Sequence, residues 1–98
     1  MNTKKIETFI GFAIKSRKIA FGEDNIKTSK KIALIIVDAD YSDKYKERIN
    51  RLEKAEVIEI PNLSGLTHRE NVHSIAILDE NLANGIKQSI EKINNKEV

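Results

Sequence analysis

The sequence contains no cysteine, one proline and five aromatic residues among its 98 positions. The absence of cysteine excludes disulfide bonds and thiolate metal sites. Because only two histidines are present, a metal site would also need carboxylate ligands. Long apolar runs are missing too. The run from Ile32 to Val37 has six residues, whereas a membrane span needs roughly eighteen.

The N-terminal stretch also lacks the pattern of a secretory signal. Lys4 and Lys5 are followed by Glu7, and the apolar stretch 9–14 ends after six residues. The apolar core of a secretory signal is longer and carries no charge. The sequence thus predicts a soluble, cytoplasmic protein with no membrane partner.

The net charge of +2 conceals an asymmetry along the chain. Residues 1–31 contain eight Lys or Arg and three acids, a net of +5, whereas residues 32–98 contain nine and twelve, a net of −3. A basic first third favours a nucleic-acid partner. The alternative is an ordinary solvated surface.

Hydrophobic periodicity predicts one α/β domain over residues 1–98, in which helices alternate with short strands. Helices are predicted over 3–16, 23–31, 43–55 and after Asp79. Strands are predicted over 19–21, 32–37, 57–60 and 74–78. The unbroken apolar run 32–37 favours a central strand covered on both faces. In the last helix the predicted inward positions are Leu82, Ile86, Ile90 and Ile93.

The stretch around Gly22 is the strongest candidate for a binding site. Arg17 and Lys18 precede it, and Glu23-Asp24-Asn25 supplies the residue types that begin helices. The predicted helix carries Lys27, Lys30 and Lys31. A glycine turn that opens a lysine-bearing helix suits phosphate or a nucleic-acid backbone. The alternative is a capped surface helix without a ligand.

Catalytic and metal-binding motifs are weak by comparison. Asp38 and Asp40 follow a buried strand, where α/β enzymes place carboxylates, but Asp40 and Ser42 are better explained as turn and cap residues. His68 and His73 are five residues apart, with no third ligand nearby in sequence. No nucleophile, phosphate-loop or dinucleotide motif is present. The sequence therefore predicts no enzyme, no cofactor, no metal and no small-molecule substrate.

The longest irregular stretch is predicted over residues 61–73. Its small and apolar segment 62–67 could receive an unstacked RNA base. Alternatively, Leu63 and Leu66 attach a long loop to the core. Tyr41 and Tyr45 are interpreted as packing residues, so no exposed aromatic platform is expected.

Several short motifs together resemble the kink-turn RNA-binding ribosomal protein family, which contains the archaeal L-seven-Ae and eukaryotic L-thirty-e proteins. The similarity is greatest to its bacterial YlxQ-type branch. Ile10-Gly11-Phe12-Ala13 resembles the first-helix motif Leu-Gly-Leu-Ala of that branch. Arg17-Lys18-Ile19 and then Gly22-Glu23-Asp24 resemble its basic turn and helix opening. The segment 32–40 resembles its central strand, and the segment 78–93 resembles its last helix.

The resemblance implies a three-layer α/β/α sandwich around a four-stranded mixed sheet. It also implies an RNA-binding face formed by the Gly22 helix start and the 62–67 loop. In the family, the helix start docks at sheared G·A pairs, and a second loop contacts an extruded base. Lys18 and Lys27 would then contact phosphates. The complete set of RNA-binding residues expected on this basis is Arg17, Lys18, Gly22, Glu23, Asp24, Asn25, Lys27, Lys30, Lys31, Leu63, Ser64, Gly65, Leu66 and Thr67.

Some positions depart from the ribosomal pattern of the family. Asp24 replaces Asn, Asn25 replaces Glu and Thr28 replaces Lys, and both RNA-contacting loops are about three residues shorter. Two functions therefore remain open. One is a non-enzymatic protein that binds structured RNA and is associated with the ribosome, transcription or translation. The other is a protein-interaction module on the same fold that has lost kink-turn recognition and docks partners through helix 43–55 or the last helix.

Overall fold

A computed structural model describes residues 2–96, with side chains up to residue 90, so that Ile93 falls outside the described side chains. Within these residues the chain forms five helices and a four-stranded sheet. The helices are α1 (Thr3–Lys15), α2 (Gly22–Thr28), α3 (Asp43–Arg51), α4 (Leu63–Thr67) and α5 (Glu80–Lys96). The strands are β1 (Ile19–Phe21), β2 (Leu34–Asp38), β3 (Val57–Ile60) and β4 (Ser74–Ile77). The predicted α/β class is confirmed.

The sheet is mixed, with the strand order β1-β4-β2-β3. β4 is antiparallel to both β1 and β2, and β3 is parallel to β2. We call the edge where β1 ends at Phe21, β2 ends at Asp38 and β4 begins at Ser74 the Gly22 end of the sheet. At the opposite end, β2 begins at Leu34 and β4 ends at Ile77.

Helices cover both faces of the sheet. Successive residues of a strand point to opposite faces, so that β2 contributes side chains to two separate cores. Leu34 and Ile36 pack in one core with α1, α4 and α5, whereas Ile35 and Val37 pack in another with α2 and α3. All four side chains are completely buried. The three-layer sandwich and the doubly covered central strand are therefore confirmed.

Polar side chains cap the N-terminal ends of α1, α3 and α5. Asn2 Oδ1 accepts from the backbone N–H of Lys5, and Ser42 Oγ accepts from that of Tyr45. At the start of α5, Asp79 Oδ1 accepts from the backbone N–H of Leu82. Among residues 2–96, no helix combines the length and apolar content needed to cross a bilayer.

The prediction for α2 is wrong at both ends. Phe21 occupies the N-cap position with no side-chain cap, whereas Glu23-Asp24-Asn25 lie inside the helix. The helix ends at Thr28 rather than at residue 31, so Lys30 and Lys31 are not helical. Hydrogen bonds explain the early end. Ser29 Oγ donates to the carbonyl of Asn25 over 2.8 Å, and the ammonium of Lys54 donates to the carbonyls of Lys27 and Ser29.

The prediction of an irregular stretch over 61–73 is also wrong, because α4 forms there. Asn62 adopts a left-handed conformation, and its Oδ1 accepts from the backbone N–H of Gly65 over 3.2 Å. Asp38 Oδ2 accepts from the backbone N–H of Leu63 over 3.2 Å. A helix of five residues is too short to show helical periodicity in the sequence. The capping contacts of Asn62 and Asp38 stabilise it instead.

Candidate nucleic-acid interface

The chain turns directly from β1 into α2 at Gly22, which has a φ of +85°. Residues with a side chain rarely adopt this conformation, whereas glycine does so readily. Apart from Gly22 itself, its two chain neighbours and the nearby backbone of α2, no heavy atom of the described residues lies within 4 Å of the position that a Cβ at Gly22 would occupy. The backbone at the start of α2 is therefore open to close approach from outside.

A surface cavity of about 600 Å³ separates the start of α2 from the segment that enters β4. Its lining residues come from β1, α2, α3 and the segment after α4: Phe21, Gly22, Tyr45, Arg69, Glu70, Asn71, Val72 and His73. The start of α2 and the segment that enters β4 lie on opposite sides of the cavity. They are close together because β1 and β4 are neighbouring strands, in which Phe21 pairs with Ile75.

Arg69 forms one wall of this cavity. Its guanidinium carbon lies 4.2 Å from the centroid of the Phe21 ring, a cation–π distance. Val72 is buried, and its backbone N–H donates to Ser64 Oγ over 3.0 Å. Asn71 adopts a φ of +57°. The segment 69–73 is thus held by contacts at Arg69 and at Val72.

Glu23 is engaged with α3. Arg48 donates from Nε and Nη2 to the Glu23 carboxylate over 3.1 to 3.3 Å, and Lys27 Nζ lies 3.7 Å away. The hydrogen bond from Arg48 lowers the pKa of Glu23 below its ordinary value of 4.5. Glu23 therefore connects α2 to α3, whereas Asp24 and Asn25 are exposed.

Three aromatic rings lie beside the cavity. Tyr41 and His73 are stacked, with centroids 3.7 Å apart and planes inclined by 9°. Tyr45 meets Tyr41 edge-on at 5.1 Å, and its hydroxyl oxygen lies 2.6 Å from Ser74 Oγ. Burial raises the pKa of Tyr45. Tyr45 is half-buried, as a packing residue should be, but Tyr41 is 41% exposed, so its assignment to packing is only partly right.

The predicted segment 62–67 does not form an apolar face at this cavity. Leu63 and Thr67 are buried, so their side chains are not available to an RNA base. Gly65 and Leu66 line a separate depression between α1 and α4. Asn62 and Ser64 line a smaller cavity near Asp38 together with His73, and Ser64 Oγ also accepts from the backbone N–H of Val72.

The predicted basic residues are also divided between the two ends of the sheet. The carbonyl of Lys18 accepts from the backbone N–H of Leu78, which places Arg17 and Lys18 at the end opposite Gly22. Lys30 and Lys31 line a depression with Lys54 and Leu78 at that same end. Of the predicted lysines, Lys27 is part of α2 itself, and its exposed side chain pairs with Glu23.

The remaining polar candidates have structural partners. Asp38 Oδ1 accepts from the backbone N–H of Asp40 over 2.8 Å, and the predicted turn at Asp40 is confirmed. His68 Nε2 lies 2.6 Å from Glu7 Oε2. In the part of the chain that the structure describes, no three His, Asp or Glu side chains are grouped to hold a metal ion.

Sequence reasoning missed Arg69 and Asn71 as members of the site. They follow α4, and nothing in their spacing distinguishes them from an ordinary connection. Only the β1–β4 pairing brings them to Gly22, and strand order is not readable from hydrophobic periodicity.

No protein-family model matches the chain, and no curated protein matches its sequence. Among solved structures, the chain is similar to a protein with unknown function from Bacillus halodurans. The two have a TM-score of 0.69 and 18% sequence identity, and the match covers 85% of this chain and 97% of that one. Similarity at this level of identity shows a shared fold.

Proposed function

We propose that this chain is a non-enzymatic RNA-binding protein of the kink-turn family, related to its bacterial YlxQ-type branch. Its ligand is structured RNA with a kink-turn or internal loop, in the ribosome or in the transcription or translation machinery. The RNA contacts the Gly22 end of the sheet. In this proposal the segment 69–73 is the second RNA-contacting loop, a role that the sequence assigned to 62–67.

The convergence of the Gly22 turn and the segment 69–73 around one open cavity carries this proposal. A backbone that can be approached closely lies beside a fixed arginine and exposed amide side chains. Arg69 and Asn71 supply donors, and the amides of Asn71 and Asn25 supply acceptors, whereas Asn25 Nδ2 already donates to the carbonyl of Phe21 over 2.7 Å. These groups suit base edges and phosphate oxygens in an irregular RNA.

The charge at the Gly22 end favours specific over purely electrostatic binding. The cations Lys27, Arg48 and Arg69 alternate there with acids, since Glu23 pairs with two of them and Glu70 lines the cavity. Binding that depends on phosphate contacts alone needs a net positive surface. Affinity at this end must therefore come largely from fitting a particular RNA shape.

The proposal is tested by titrating the protein with a standard kink-turn RNA at near-physiological salt. The control is the same RNA with its two sheared G·A pairs replaced by Watson–Crick pairs. Much tighter binding to the first RNA is expected. Equal affinity for the two RNAs, or no binding to either, would contradict kink-turn recognition.

The second candidate, a protein-interaction module, is favoured by one observation. Glu23, Asp24 and Glu70 place three carboxylates at the Gly22 end, and carboxylates repel phosphate. If this candidate is right, the protein binds both RNAs equally weakly, and a protein partner contacts α3 or α5.

A further inference from the structure

The segment that connects α2 to β2 borders two depressions at the end of the sheet opposite Gly22. The first, of about 410 Å³, lies between residues 30–33, Lys54 and Leu78. The second, of about 360 Å³, lies between residues 32–33 and the first two turns of α5. Because residues 32–33 line both, the two depressions adjoin, and we call them together the lysine groove.

The apolar part of the lysine groove is aliphatic. Ile32, Ala33 and Leu78 are partly buried, and they pack against the two cores of the domain. Among the described residues, no aromatic side chain lines the groove. Contact with an aliphatic side chain would remove this apolar surface from water, whereas a nucleobase would find no ring on which to stack.

The charged part of the lysine groove is mainly cationic. Lys30, Lys31 and Lys54 are exposed, and none of the described carboxylates lies within 4.0 Å of their ammonium groups. Glu80 is the acid that lines both depressions. Three cations beside one acid leave a net positive groove, which complements an anionic ligand.

The position of the Lys54 ammonium is fixed by the end of α2. It donates to the carbonyls of Lys27 and Ser29, so that its charge is held beside the groove. A group that is already ordered loses less entropy when a ligand binds to it. Lys87, beside α5, pairs with Glu56 over 3.2 Å, and this pair adds no net charge.

The backbone of residues 30–32 has hydrogen-bond donors to offer a ligand. Within the described part of the chain, the N–H groups of these three residues make no hydrogen bond. The next residue, Ala33, donates to the carbonyl of Ile77 over 2.9 Å. An extended peptide that lies along such a backbone gains hydrogen bonds through its own carbonyls. The groove thus combines backbone donors, an apolar floor and lysines.

Carboxylates and phosphates both attract lysines, so the apolar floor distinguishes the two kinds of ligand. The ribose–phosphate backbone of RNA has no aliphatic side chains with which to cover it. In an extended peptide, successive side chains point to opposite faces. A peptide that alternates acidic and aliphatic residues can therefore cover the floor with one face, while its carboxylates meet the flexible lysine side chains.

We infer that the lysine groove binds an extended, acidic peptide segment of a partner protein. Aliphatic side chains of that segment lie on Ile32, Ala33 and Leu78, and its carboxylates pair with Lys30, Lys31 and Lys54. The inference goes beyond the proposed RNA interface and does not depend on it. Because the groove and the Gly22 end lie at opposite ends of the sheet, RNA and peptide can be bound together.

NMR titrations with defined peptide pools test this inference. The probe is a pool of decapeptides in which Asp or Glu alternates with Val, Ile or Leu. A second pool has Ser at the apolar positions, and a third has Lys at the acidic positions. The proteins are wild type, Lys30→Gln/Lys31→Gln and a control, Lys5→Gln/Lys44→Gln, which removes the same charge from exposed lysines outside the groove. Amide spectra establish that each variant is folded.

The acidic–aliphatic pool is expected to shift the amide signals of Ile32, Ala33 and Leu78 in a saturable way. Lys30→Gln/Lys31→Gln should bind this pool roughly 5-fold more weakly, as expected for two lost ion pairs at a surface, and the control should bind it as wild type does. The Ser and Lys pools should bind much more weakly. No saturable shift at these amides, equal losses in the two variants, or full affinity for the Ser pool would overturn the inference.

Two further titrations separate the peptide from RNA. If an oligouridine RNA shifts the same amide signals at lower concentration than the acidic–aliphatic pool, the groove binds RNA and the inference is wrong. With the kink-turn RNA present, the affinity for the peptide pool should be unchanged, and competition would contradict two separate sites. The peptide titration itself needs no RNA. Failure of kink-turn recognition therefore leaves the lysine groove standing, and failure of the groove leaves the proposed function standing.

Discussion

The ring of Phe9 in α1 lies directly against Gly85 in α5. A β-carbon built on Gly85 would lie 2.6 Å from Phe9 Cζ, closer than real Cβ contacts. This contact explains a glycine in the middle of α5 for which the sequence offers no reason. Gly11 of α1 has no such neighbour within 4 Å, so close packing does not account for it.

We expect alanine substitution at the two helical glycines, Gly11 and Gly85, to change the free energy of unfolding in opposite directions. Gly11→Ala should raise the free energy of unfolding by about 1 kcal/mol, the difference in helix propensity. Gly85→Ala gains the same propensity but forces Phe9 to move, and overpacking of this kind costs about 1–3 kcal/mol. Urea unfolding of both variants measures the difference. A Gly85→Ala protein as stable as Gly11→Ala would contradict the packing contact.

Much of the fold could be predicted because its signals are local. The apolar run 32–37 is long enough to indicate a strand buried on both faces, although β2 is shifted and covers Leu34–Asp38. Ser42 and Asp79 begin helices through hydrogen bonds to residues three positions later, and such contacts are visible in sequence. The C-terminal end of α2 could not be predicted, because Lys54, which is distant in sequence, donates to the carbonyls of Lys27 and Ser29 at that end.

The candidate site could be predicted only in part. Gly22 was identifiable because a glycine between a strand and a helix is a local signal. Its partner segment was not, since Arg69 reaches Phe21 through the pairing of the first and last strands. The division of the basic residues has the same origin. Lys18 and Lys31 are near Gly22 in sequence, but β1 runs from the opposite end of the sheet to Gly22, and α2 leads the chain back toward that opposite end.

Gly22 should resist substitution for conformational reasons alone. Its φ of +85° is unfavourable for alanine, so Gly22→Ala should lower the free energy of unfolding by about 1–2 kcal/mol. Gly22→Asn should lose less, because asparagine tolerates the left-handed region better. Thermal or urea unfolding tests the order of the three proteins. Equal stability of all three would contradict the strained turn.

Glu23 should contribute stability that depends on pH. Its pKa is lowered in the folded protein by Arg48, so the folded state favours the ionised carboxylate. The contribution is present above the unfolded pKa of about 4.5 and is lost as the pH falls through the folded pKa. Glu23→Gln should therefore be less stable than wild type at neutral pH but not at strongly acidic pH. The measurement is the urea midpoint of both proteins across that range, and a difference independent of pH would contradict the ion pair.

The two ends of the sheet should differ in their importance for RNA. Arg69→Gln and Lys31→Gln each remove one positive charge, from the Gly22 end and from the opposite end respectively. Arg69→Gln should weaken binding of the kink-turn RNA roughly 10-fold, as expected for a lost charge-assisted contact. Lys31→Gln should bind nearly as wild type does. The reverse order would assign RNA binding to the wrong end.

The most direct measurement of the central claim is a ¹H–¹⁵N NMR titration of the protein with the kink-turn RNA, followed at each backbone amide. The account predicts the largest chemical-shift changes at residues 22–25 and 69–73, with small changes at residues 30–33. Large changes at residues 30–33 together with unmoved signals at 22–25 and 69–73 would contradict it.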